Sequence, residues 1–262
     1  MRGLEGKVAI VTAASSGIGK GIAKVLSSEG CIVHISSRDR AKLEKSAEEI
    51  RKETGKQVNA VPCDLTRPAD VTRMLSEVKK KSGKVDFLVI NFGDPKVAPF
   101  LEITDEDWDS SMNMFLKSSV TMIRSILPEM ISNGDGRVVF VTSLTTKQAL
   151  ENFSISASLR AAVVSLSKVL SIEYAKNGIT FNSISQGYIM TPRLESIARR
   201  NAEKMNISLD QAYDAIRQGI PARRFGKPEE IGHLVSFLCS SDASYINGAN
   251  IQIDGGVVRF PL

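Results

Sequence analysis

The sequence predicts a doubly wound α/β domain, one seven-stranded parallel sheet with helices on both faces. Three observations predict it. Short, continuous Val- and Ile-rich runs alternate with amphipathic segments along the chain. A glycine-rich turn joins the first such run to the first helical one. No linker, low-complexity stretch or internal repeat divides the 262 residues, a length that suits one large α/β domain.

The strand-like runs are 8–12, 31–36, 58–63, 87–91, 138–142, 180–185 and 251–253. They are apolar without alternation, as parallel strands buried on both faces should be. Amphipathic stretches at 18–28, 40–53, 69–81 and 229–238 lie between them, and 105–132 and 155–176 are also patterned as helices. Such alternation demands right-handed crossovers and a sheet covered on both sides. The region at about 191–224 is polar and helical and interrupts the alternation late. An insertion there is placed to cover a substrate as a lid.

The first run leads directly into Thr12-Ala13-Ala14-Ser15-Ser16-Gly17-Ile18-Gly19 and then a helix. Glycines at that junction let a pyrophosphate approach the backbone and meet the helix dipole and free N–H groups. The strand–turn–helix context gives the pattern its weight, since glycine spacing alone also fits a plain tight turn. The second run ends in Ser36-Ser37-Arg38. NAD sites place an acid there on the ribose 2′-OH, and NADP sites an arginine on the 2′-phosphate. Ser37 occupies the acidic position and Arg38 follows it. A guanidinium can take a phosphate with two bonds, whereas a carboxylate would repel it. NADP is therefore expected over NAD; a solvated loop cation is the alternative for Arg38.

These motifs resemble those of the short-chain dehydrogenase/reductase family, and the resemblance covers practically the whole chain as one Rossmann-type domain. The turn is similar to the family's TGxxxGxG with Ala13 in place of the first glycine, a methyl tolerated where φ stays negative. Asp64-Leu65 stands where the family uses an aspartate near the adenine. Ile90-Asn91-Phe92-Gly93 resembles the Asn-Asn-Ala-Gly motif after the fourth strand, with only Asn91 and Gly93 kept and Phe92 adding bulk. Gln186-Gly187-Tyr188-Ile189-Met190-Thr191 is similar to the Pro-Gly-x-x-x-Thr segment at the carboxamide end of the nicotinamide. The C-terminal stretch 224–256 is similar to those of 3-oxoacyl-acyl-carrier-protein reductases and sugar dehydrogenases.

The resemblance also implies a catalytic set of Asn, Ser, Tyr and Lys. Asn113 and Ser143 match the first two. Ser156 and Arg160, thirteen and seventeen residues beyond Ser143, stand where Tyr-x-x-x-Lys is expected. A phenol suits carbonyl reduction because a nearby cation brings its pKa toward neutrality. Ser156 is far less acidic and its oxygen stays close to the backbone, while Arg160 can still hydrogen-bond the cofactor ribose and supply positive charge but releases no proton near neutral pH. A water held by Ser143, Ser156 and Arg160 is one substitute donor. Tyr188 could donate instead of packing beside the cofactor, and Lys147 could face substrate instead of solvent. Two functions stay open: an NADP-dependent oxidoreductase on a small carbonyl or alcohol with a rewired proton relay, or a nucleotide-binding scaffold or sensor without turnover.

Composition bounds the rest. Hydrophobic residues make up 42% and charged residues 24%, with net charge +5. The densest basic run, Lys79-Lys80-Lys81, closes an amphipathic stretch and offsets a helix dipole; no nucleic-acid motif accompanies it. Cys31, Cys63 and Cys239 have no metal or disulfide spacing, so buried reduced thiols are expected and no metal site. No run reaches the roughly 20 apolar residues of a membrane span, and a cytoplasmic location is expected. Apolar faces with small residues on the two helical stretches 105–132 and 155–176 predict a homo-oligomer, with a closed tetramer the expected form among proteins of this resemblance.

Overall fold

The seven strands and their order follow from a computed structural model that describes residues 3–260. Strand β1 (Val8–Val11) runs into α1 (Gly17–Ser28), and β2 (Ile32–Ile35) into α2 (Arg40–Thr54). Next come β3 (Val58–Ala60), α3 (Pro68–Ser82) and β4 (Phe87–Ile90). The second half holds α4 (Asp105–Met112), α5 (Ser118–Asn133), β5 (Gly136–Val141), α6 (Ser154–Glu173) and β6 (Ile179–Gln186). Helices α7 (Pro192–Met205), α8 (Leu209–Gln218) and α9 (Pro228–Cys239) precede β7 (Asn250–Ile253).

All seven expected strands form, and they make one sheet in the order β3-β2-β1-β4-β5-β6-β7. Every pairing is parallel. β3 stops at Ala60, short of the expected 63, and Pro62 just beyond it has no N–H for a ladder. Helices α1, α2 and α9 bury Ile22, Leu26, Leu43, Ile50 and Val235 against one face. Helices α3, α5 and α6 bury Met74, Val78, Ile126 and Val163 against the other. The order reverses between β1 and β4, and at such a switch point the loops leaving the strands part to form a crevice.

Three local features bear on the site. The expected single helix over 105–132 is instead α4 and α5 joined by a π-helical turn, Asn113–Lys117. Its released carbonyls are taken by hydroxyls: Ser118 Oγ donates to Met114 O and Ser119 Oγ to Phe115 O, both at 2.5 Å. Side-chain hydroxyls competing for the ladder in this way let one extra residue into the turn. The polar region after β6 is α7 and α8. They pack on each other through Ala198, Ala202 and Ala212, with a second small core of Leu194, Ile220 and Phe225. Lastly, α6 is long and apolar enough to cross a membrane by length and composition, yet a third of that stretch is buried on the sheet.

The cysteines are free and each is buried. Burial pushes the Cys31 and Cys63 thiols up to about 12 and raises Cys239 too. Protonated thiols of this kind are poor nucleophiles. The basic run closes α3, where Lys79 Nζ donates to Ser125 O at 2.9 Å and Lys81 pairs with Glu77.

Candidate active site

The loops at the C-terminal edge of the sheet enclose a cavity of about 800 Å³. Ala13, Ser15, Gly17 and Ile18 line it after β1, and Ser37 and Arg38 after β2. Asp64 and Leu65 follow β3, and Asn91 and Gly93 follow β4. Ser143, Ser156 and Arg160 line the β5 end, with Ile189 and Thr191 opposite, after β6. Of the residues expected from the family motifs, two do not reach the surface of the cavity. Gly19 lies beneath it, and Asn113 is replaced at the wall by its neighbour Met114. Tyr188 lines the cavity and Lys147 does not.

The turn after β1 is shaped by backbone. Gly17 has φ +55°, and a Cβ added to it would lie 3.2 Å from Thr191 Cγ2. A Cβ on Gly19 would collide with the carbonyl oxygen of Ala13. That carbonyl accepts from Asn91 Nδ2 at 3.1 Å, while Thr12 Oγ1 donates to Asn91 O at 2.6 Å and accepts from Asn91 N at 3.0 Å. Asn91 thus pins the turn to β4. Ser16 caps α1 without a side-chain bond, leaving the first N–H groups of a twelve-residue helix open to an anion. Ala13 has φ +48°, so the condition under which its methyl would be free of strain is not met. The turn needs the glycine conformation, and the alanine adopts it at a cost of roughly 1–2 kcal/mol.

Charge around this end is already sorted. Asp39 caps α2, its carboxylate accepting from Lys42 N at 3.0 Å, and Asp64 Oδ1 accepts from the backbone and hydroxyl of Thr66. Arg38 stands exposed at the rim. A phosphate-bearing dinucleotide fits these residues: open helix N–H groups, glycines where a side chain would intrude, and a rim cation beside a serine.

The β5 end is built from side chains. Ser143 Oγ accepts from Thr145 N at 3.2 Å, and Thr145 Oγ1 lies 3.4 Å from Ser156 Oγ. Ser156, only 2% exposed, accepts from Arg160 Nη1 at 2.6 Å. The four residues form one chain of polar contacts ending on a guanidinium. Arg160 lies 4.9 Å above the Phe115 ring, which packs on Phe92 with centroids 4.7 Å apart. Burial pulls the Arg160 pKa down to about 10, Asp94 opposes the fall and Arg193 adds to it. It remains a fixed cation at neutral pH, so the chain ends without a base.

Sequence reasoning missed Thr145, Phe115, Asp94 and Arg193. Asp94 and Arg193 face each other at 3.6 Å between the loop after β4 and the first turn of α7. No motif marks either, and Phe115 meets Arg160 from within the π-helical turn. Thr191 caps α7, its Oγ1 accepting from Leu194 N at 3.3 Å.

A family model described as enoyl-(acyl carrier protein) reductase matches residues 12–258. Oxidoreductase UcpA of Escherichia coli K12 is 37% identical over 257 residues, covering 97% of this chain and 95% of the relative. A 3-oxoacyl-[acyl-carrier-protein] reductase of Thermotoga maritima is 31% identical, covering 97% and 99%. In structure the chain is similar to L-sorbose reductase of Gluconobacter frateurii, complexed with NADPH and L-sorbose. The TM-score is 0.94, the identity 29%, and 99% of each chain is covered.

Proposed function

Because the chain belongs to the short-chain dehydrogenase/reductase family of oxidoreductases, we propose that it is an NADP-dependent member acting on a small carbonyl or alcohol, with water in place of a tyrosine as proton donor. The observation that carries this reading is the Ser143–Thr145–Ser156–Arg160 chain on the wall of a dinucleotide-sized cavity. Residues 1–262 act as one domain in this reading, with α7 and α8 as its lid.

The nucleotide is held by the open N-terminus of α1, by Gly17 and Ile18, and by Asp64-Leu65 on the adenine side. Asn91 and Gly93 flank its middle, Ile189 and Thr191 its far end, and Arg38 beside Ser37 takes the 2′-phosphate. The sorbose reductase relative, solved with NADPH, supports this preference. When bound, the cofactor supplies or accepts a hydride at the carbonyl carbon. Ser143 and Ser156 bind the substrate oxygen, and Arg160 stabilises the negative charge that gathers there. Arg160 gives up no proton, so a water held by the two hydroxyls delivers it and takes a proton back from the solvent. Asn113, set back from the wall, acts through the backbone turn that carries Met114 and Phe115.

The protein works in the cytoplasm as a homo-oligomer in this reading, a tetramer by family resemblance. Val169 and Ile172 on α6 are 48% and 71% exposed, an apolar strip that a second copy would cover.

Titration with NADPH and NADH tests the cofactor assignment: NADPH should bind at least tenfold tighter, and Arg38→Ala should erase the difference. Equal affinities in the unmodified protein would overturn it. A second reading, a nucleotide-binding scaffold without turnover, is favoured by one observation, the ending of the polar chain on a cation that cannot donate. Absence of NADPH oxidation across aldoses, ketoses, oxo acids and oxo esters, with NADPH binding intact, would decide for it.

A further inference from the structure

Beyond the Ser143–Ser156 hydroxyls, the cavity is walled by apolar side chains from three separate segments. Val97, Leu150 and Phe153 line it from the loops after β4 and β5. Those two loops are tied together, since Ala98 N donates to Asn152 O at 3.2 Å. Leu194 and Ile197 line it from α7, three residues apart and so on one helix face. Met114 lines it from the π-helical turn. It packs where Gly93 has no side chain, and a Cβ on that glycine would lie 3.2 Å from Met114 Sδ. The Asp94–Arg193 pair bridges the β4 loop to the first turn of α7, which brings the segments to one mouth.

The polar side chains on these segments are largely spent on the protein itself. Asp94 and Arg193 answer each other. Thr142 Oγ1 donates to Ile184 O at 2.9 Å, and Thr145 lies between Ser143 and Ser156. Thr191 caps α7, and Asn91 Nδ2 is fixed on Ala13 O. Besides Ser143 and Ser156, this leaves Gln186, Tyr188 and Ser196 to meet polar groups of a ligand. One carbonyl oxygen is met by the serine pair. The several hydroxyls of a sugar are not, and each one set against Leu150, Phe153 or Ile197 without a partner would cost binding. An apolar body gains there in proportion to the area it removes from water.

We infer that the substrate is a ketone or aldehyde with an aliphatic or aromatic body, and that sugars and other polyols are poor ligands. The inference rests on the oxidoreductase reading for the carbonyl; the apolar body is carried by the six side chains themselves. It sets this chain apart from the sorbose reductase that it resembles in fold, which is complexed with L-sorbose.

The test is calorimetric titration of 2-butanone, 2-pentanone, 2-hexanone, 2-heptanone, acetophenone and L-sorbose. Each is titrated without nucleotide and with NADP⁺, which has no hydride to give and so keeps the ketone intact. Affinity should rise about two- to fourfold for each methylene added, and 2-heptanone should bind at least tenfold tighter than L-sorbose. Acetophenone should bind within about tenfold of 2-heptanone. Leu150→Asn on one wall and Ile197→Asn on the other, both at half-buried positions, should each reduce the heptanone-to-butanone ratio at least threefold. Either variant locates the gradient should the other fail to fold. A flat ketone series, L-sorbose binding as tightly as 2-heptanone, a ratio unmoved in the variants, or no binding of any ketone would each overturn the inference. NADPH oxidation is read on the same preparations. Its absence with every ketone would count against the oxidoreductase reading while leaving the chain-length gradient standing. Turnover of L-sorbose as fast as 2-heptanone would support that reading and overturn the inference.

Discussion

The two ends of the cavity are held together differently. At the β1–β2 end the shape is made by backbone: Gly17 at φ +55°, Gly19 packed under Ala13 O, and Asn91 tying that same carbonyl to β4. At the β5–β6 end it is made mostly by side chains, in the sequence Thr145, Ser156, Arg160, Phe115, Phe92, with Ser143 joined through the Thr145 backbone N–H. A backbone cradle tolerates exchange of the residues around it, provided the glycines stay. A side-chain chain does not, because each member sets the geometry of the next. Changing one member at the β5–β6 end should therefore disturb its neighbours, Ser156 with Arg160 and Phe115 with Phe92.

The sharpest way to break this contrast is to rewrite one end and watch the other. Ser156→Tyr with Arg160→Lys should raise kcat on a bound carbonyl by about 10²–10⁴, the usual worth of a placed general acid. NADPH affinity should stay within threefold. Ser156→Tyr alone should gain less, since arginine and lysine place their charge differently. Both rates follow from loss of NADPH absorbance. If the unmodified protein is already fast and Ser156→Ala does not slow it, the proton comes from elsewhere, and Tyr188 is the next position to change.

The β1–β2 half should also carry an acid weakness that sets in well above the carboxylate range. His34 on β2 is 1% exposed, and burial pulls its pKa from 6.5 down to about 4, helped by Lys81. Between those values the unfolded chain binds a proton and the folded chain does not. Stability is therefore full above pH 6.5 and falls as pH drops toward 4, by roughly 3 kcal/mol. Melting should fall by about 5–10 °C over that range for a chain of this size. His34→Gln should flatten this part of the profile. A profile identical in the variant would place the acid sensitivity elsewhere.

Next in size is the contact under the glycine turn. Gly19→Ala puts a methyl against backbone that cannot rotate away. Overpacking of this kind costs about 1–3 kcal/mol, and displacement of the turn should weaken NADPH by about tenfold. Ser156→Ala, measured alongside, should leave NADPH affinity within twofold. Equal losses in both would mean that the two ends are not separately built.

How much of this was readable in the sequence follows the same division. The seven strands were, because buried parallel strands are short apolar runs and nothing else in this chain looks like them. The glycine turn was, and so was the place of Arg38 on the cavity wall, because both are local: strand, turn, helix, next strand end. Asn113 did not reach the wall, since a π-helical turn adds a residue and rotates the next side chain inward, and no composition rule announces it. Ser118 and Ser119, whose hydroxyls take the released carbonyls, were the available sign. The Asp94–Arg193 pair and the Phe115 plate join segments far apart in the chain, which no spacing reveals.

The smallest expected effect concerns the one place where the backbone-built end departs from its own rule. Ala13 sits at φ +48°, a left-handed conformation that costs an alanine roughly 1–2 kcal/mol. Ala13→Gly removes that strain but gives the unfolded chain more freedom, a loss of about 0.4–1 kcal/mol. The net gain should be about 0.5 kcal/mol, read from the midpoint of urea unfolding with an unchanged slope. NADPH affinity should rise no more than twofold, because the Ala13 carbonyl is already fixed by Asn91 Nδ2. A variant less stable than the parent would show that the Ala13 methyl packs for more than its strain costs. Asn91→Ala should then separate the two terms: it frees the carbonyl, lets the turn relax, and should make the Ala13→Gly gain disappear.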